Sequence, residues 1–77
     1  MKTLYDVQQV LKHFGIYVYL GKRLFDIELM KIELARLHDN GLIEEEVYLQ
    51  AELILRREHR LEIEAEKNKR NRQSDDR

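Results

Sequence analysis

Apolar residues recur at helical spacing in three stretches of this chain, and 77 residues patterned in that way are confined to a small helical bundle. Leu4, Val7, Val10, Leu11 and Phe14 share one face of a first helix over about 3–14. Thr3, with Asp6 three residues on, forms a capping-box pattern at its start, and Gly15 stops it. Ile27, Met30, Leu34 and Leu37 define a second helix over about 26–39, with Asp26 as its expected cap and Asn40-Gly41 as its end. Leu24 and Phe25 are expected to pack at its entrance.

Leu42 and Ile43 are expected to re-enter the core before Glu44-Glu45-Glu46 place negative charge at the start of a third helix. Its stripe is Val47, Ala51, Ile54, Leu61 and Ala65, widened by Tyr48 and Leu55. Glu58 stands where an apolar residue was due. The expected fold is therefore all-α: a compact three-helix bundle over 1–57, a projecting end of the long third helix over 58–67, and a disordered basic C-terminal tail over 68–77, which has no apolar residue.

Between the first two helices, Ile16-Tyr17-Val18-Tyr19-Leu20 would score as a strand by propensity. It has no partner strand, and an isolated strand leaves its backbone groups unpaired. An extended connector lying on the helices is expected, with Ile16, Val18 and Leu20 turned inward and Tyr17 and Tyr19 outward.

A core drawn from about sixty residues hides only about 60% of its unfolded surface, so the fold is marginal and self-association is compatible with it. The chain has no Cys, so neither disulfides nor a cysteine-based zinc site can add stability. No stretch reaches the roughly 18 apolar residues of a membrane span, and residues 1–6 lack a signal-peptide run; the expectation is a cytoplasmic protein without membrane association. The net charge of -1 conceals a segregation. Residues 1–25 carry four Lys/Arg against one acid, 26–66 five against twelve, and 67–77 five against two.

Four segments together resemble the YqgQ-like family of short bacterial cytosolic proteins: Tyr5-Asp6-Val7-Gln8-Gln9, Gly21-Lys22-Arg23-Leu24, Asp26-Ile27-Glu28-Leu29-Met30 and Leu53-Ile54-Leu55-Arg56. The resemblance covers roughly residues 3–57. It implies a compact three-helix fold and a Gram-positive-type source, and it implies no reaction.

The residues point the same way on chemistry. The only Ser is Ser74 in the expected tail, there is no Cys, and Thr3 serves as a cap, which nearly excludes nucleophilic catalysis of the Ser, Cys or Thr type. Carboxylates are abundant, but a general acid needs a desolvated pocket that three short helices do not enclose. His13, His38 and His59 lie one per helix without metal-ligand spacing. No catalytic residue, metal, cofactor or small-molecule substrate is expected.

What stands out is the run from Lys12 to Arg23, which interleaves cations with aromatics between two glycines. Single-stranded nucleic acid requires cations that follow phosphates and flat rings on which bases stack. Tyr17 and Tyr19, about 6 to 7 Å apart by strand rise, with Lys12, Lys22 and Arg23 around them, would form such a platform, and binding would fall steeply with salt. The alternative is a protein-interaction adaptor or homodimer using the third helix, through Tyr48, Leu55, Leu61 and Ile63.

Overall fold

A computed structural model describes the backbone of residues 1–75 and the side chains of residues 1–68. Three helices follow one another: α1 (Leu4–His13), α2 (Arg23–Asp39) and α3 (Glu45–Asp75). Among the described residues there is no strand. Of the expected tail over 68–77, the backbone of 68–75 is part of α3, and residues 76 and 77 lie outside the described residues.

The capping box at α1 is present. The Thr3 hydroxyl accepts from the Asp6 N–H, and the Asp6 carboxylate accepts from the Thr3 N–H at 3.0 Å and the Lys2 N–H at 2.8 Å. Both α1 and α2 end in the same way. Gly15 N–H reaches Lys12 C=O and Ile16 N–H reaches Leu11 C=O; Gly41 N–H reaches His38 C=O and Leu42 N–H reaches Leu37 C=O. The two glycines adopt φ of 78° and 69°, a region that costs an L-residue about 1–2 kcal/mol.

Contacts at the helix ends fix the packing directions. Arg23 at the start of α2 meets Glu58 and Glu62 of α3, while His38 at its end meets Glu45, so α2 and α3 run antiparallel. Arg57 of α3 donates to the Lys2 carbonyl ahead of α1, and Val10 and Phe14 near the end of α1 share a groove with Ile43 and Val47. Hence α1 also runs antiparallel to α3 and roughly parallel to α2. Two parallel neighbours cannot be joined by a tight turn. The chain after α1 has to travel back along the bundle, about 15 Å for a ten-residue helix, which an extended segment manages easily and a second short helix would not.

The core draws on all four segments: Leu4, Val7 and Leu11; Val18 of the connector; Ile27, Met30, Leu34 and Leu37; and Ala51, Ile54 and Leu55. Ile16, Leu29, Ile43 and Tyr48 pack half-buried against it. At the α2–α3 turn the His38 ring stacks on Tyr48 at 4.0 Å and pairs with Glu45. Burial, then the Glu52 carboxylate, pushes the Tyr48 hydroxyl pKa up.

Several local expectations are corrected. Helix α2 begins at Arg23, with Lys22 as an N-cap that makes no side-chain bond. Asp26 lies one turn inside and instead accepts the Leu20 N–H at 2.6 Å, tying the connector to the helix. Leu42 is exposed, because successive residues of an extended link point to opposite sides and only Ile43 reaches the core. Phe25 is exposed, since it stands two positions before Ile27 and so about 200° around the helix from the buried stripe; its ring meets the Lys22 amine at 5.0 Å. Leu55, expected on an outer strip with Leu61, is fully buried, while Leu61 is exposed as that strip required.

Candidate functional site

The connector alternates as its sequence dictates. Val18 is 4% exposed, while Tyr17 and Tyr19 on either side of it are 66% and 62% exposed. Ile16 is half-buried. Leu20 departs from the alternation and is exposed: its N–H is held by Asp26, and Gly21, at φ 90°, turns the chain into α2 before another residue can face inward.

Of the five residues singled out in the sequence, three come together and two stand apart. The Lys12 amine lies 5.9 Å from the centroid of the Tyr19 ring, at the outer limit of a cation–π contact. Tyr19 and Arg23 line one groove of about 730 Å³, open to solvent. Tyr17 stands outside that groove, and Lys22 reaches away from it to Phe25 and to Glu66.

The groove also gathers residues that the sequence reading did not include. Tyr5 and Gln8 of α1 form one wall and Arg57 and Glu58 of α3 another, with Leu4 and Met30 contributing apolar lining. Tyr5 is as exposed as the two connector tyrosines. A binding surface of this kind would thus have three accessible rings, two of them bordering one groove.

Two of the three cations, Lys22 and Arg23, are already paired with carboxylates. Arg23 meets Glu58 at 2.7 Å and Glu62 at 3.7 Å, and Lys22 meets Glu66 at 3.7 Å. The three glutamates repeat at i, i+4 and i+8 along one face of α3. On an isolated helix they would repel; here the start of α2 neutralises them. That explains why Glu58 replaces an apolar residue, and a sequence signal for it existed. A row of like charges in a register otherwise apolar requires cations from elsewhere in the fold.

A second groove, between the end of α1 and the start of α3, is lined by Val10, Phe14, Ile43 and Val47 with Gln9, His13 and Glu44 at its rim. On the outward face of α3, Leu49 and Leu53 are exposed, Leu53 at 67%. Among the described residues no helix is long and apolar enough to cross a membrane.

Comparison with known proteins adds a family to this geometry. The model of the YqgQ-like family matches residues 1–61. A relative described as an uncharacterized protein YqgQ, from Bacillus subtilis (strain 168), is 50% identical over 58 residues, which span 75% of this chain and 82% of that protein.

Proposed function

The chain belongs to the YqgQ-like family, and we propose that it acts there as a non-enzymatic binding protein that holds single-stranded nucleic acid on its α1–α2 connector. The observation that carries this reading is the outward pair Tyr17 and Tyr19, held in place by the buried Val18 between them. A ring presented on an extended backbone with its neighbours anchored loses little freedom when a base stacks on it, and each such stack is worth about 1–3 kcal/mol. Lys12 beside Tyr19 supplies a cation at the edge of the platform.

Partial neutralisation of Lys22 and Arg23 by α3 makes stacking, rather than phosphate attraction, the larger contribution. Labelled single-stranded oligonucleotides titrated at about 50 mM salt test the reading. The expected result is binding that weakens at least about thirtyfold when Tyr17→Ala and Tyr19→Ala are combined, as the loss of two stacks requires. Unchanged affinity in the double variant, or no binding by the native chain, would remove it.

A second reading, an adaptor or homodimer built on α3, has its own observation in the outward Leu49 and Leu53. Large apolar side chains side by side on a solvent face mark association surfaces. Light scattering across protein concentrations without oligonucleotide tests its homodimer form: a dimer that Leu53→Asp abolishes supports it, and a monomer throughout eliminates the homodimer.

A further inference from the structure

Two guanidinium groups from different helices converge on one carboxylate in the groove beside the connector. Glu58 lies 2.7 Å from Arg23 of α2 and 3.5 Å from its neighbour Arg57 of α3. Its side chain is only 16% exposed. Arg57 is further fixed by donating to the Lys2 carbonyl at 2.8 Å, so its position does not depend on Glu58 alone. Arginine forks pre-positioned around one anionic group are the arrangement that recognises phosphate. The exposed rings of Tyr5 and Tyr19 border the same groove.

We propose that Arg23 and Arg57 form a phosphate subsite in which the Glu58 carboxylate is the resident internal anion, and that a nucleotide phosphate binds by displacing it. The proposal rests on the nucleic-acid reading above and adds to it a defined place for one phosphate outside the connector. Glu58 then acts as a built-in competitor. It keeps the arginines positioned and paired when no ligand is bound, and it lowers affinity for any anion that must displace it. Glu62, 3.7 Å from Arg23, backs the same competition from one turn further along α3.

The strength of the competition follows from its exposure. Arg23 is about half exposed, so the pair is screened, and releasing the arginines strengthens phosphate binding by a moderate factor, about three- to tenfold.

The test compares Glu58→Gln with Glu64→Gln on the exposed side of α3, which changes net charge equally but faces no groove residue. Single-stranded oligonucleotides are titrated into both variants and the native chain, with thermal melts to confirm folding. The expected result is tighter binding by Glu58→Gln alone, within twofold of native for Glu64→Gln, and loss of the gain when Arg57→Gln is added to Glu58→Gln. Equal effects of the two glutamate variants, with native binding intact, would overturn the subsite and leave the connector reading standing. Absence of binding by every variant would overturn both. Competition by inorganic phosphate separates the sources of the anion: displacement of the oligonucleotide assigns the subsite to free phosphate as well as nucleotide, and resistance to it, with the Glu58→Gln gain retained, assigns it to the strand.

Discussion

Asp6 accepts backbone hydrogen bonds from Lys2 and Thr3, and these bonds, Lys2 first, hold its carboxyl pKa below the ordinary value. Both bonds exist only when the first turn of α1 is folded, so folding favours the ionised form. A carboxylate depressed in the folded state contributes stability that is present above its unfolded value, about 3.9, and is lost as pH falls through the folded value. Asp6→Asn should therefore lower the melting temperature at pH 7, and the gap to the native chain should narrow as pH falls below about 3.9 and through the folded value. A thermal melt at each pH measures it. A gap of the same size at both ends would assign the role of Asp6 to shape rather than charge.

Among the elements, α1, the end of α2 and the start of α3 were legible because each carries its own local signal. Thr3 with Asp6, the two glycines that follow α1 and α2, and the acidic run before Val47 are each decided within a few residues. The start of α2 was not legible, because Asp26 looks like a cap by type while its carboxylate is committed to Leu20, across a turn that only the folded chain closes. The connector was legible in its alternation at Tyr17, Val18 and Tyr19 and illegible in its path. Nothing local states that α1 and α2 run parallel, although that relation is what requires an extended return. The candidate site divides in the same way. Tyr17, Tyr19 and Lys12 stand near one another in sequence and could be gathered by eye, whereas Tyr5, Arg57 and Glu58 reach the groove only through helix packing.

At the scale of the molecule, part of the charge segregation along the chain is matched in space among the described residues. The basic connector of the first segment lies against the acidic row of α3, so Lys22 and Arg23 present a nearly compensated surface rather than a free positive patch. This revises the salt dependence expected from sequence. A steep fall with salt requires several phosphates neutralised by free cations, and the compensated cations leave a shallower one, with stacking supplying the rest.

The location of binding is the centre of the account, and an amide chemical-shift titration with a short single-stranded oligonucleotide at about 50 mM salt reads it directly. The account predicts that shifts concentrate in the connector over 16–22 and at Tyr5, Arg23 and Arg57, with the outward residues Leu49 and Leu53 unmoved. Shifts confined to Leu49 and Leu53, or a spectrum unchanged at saturating oligonucleotide, would contradict it.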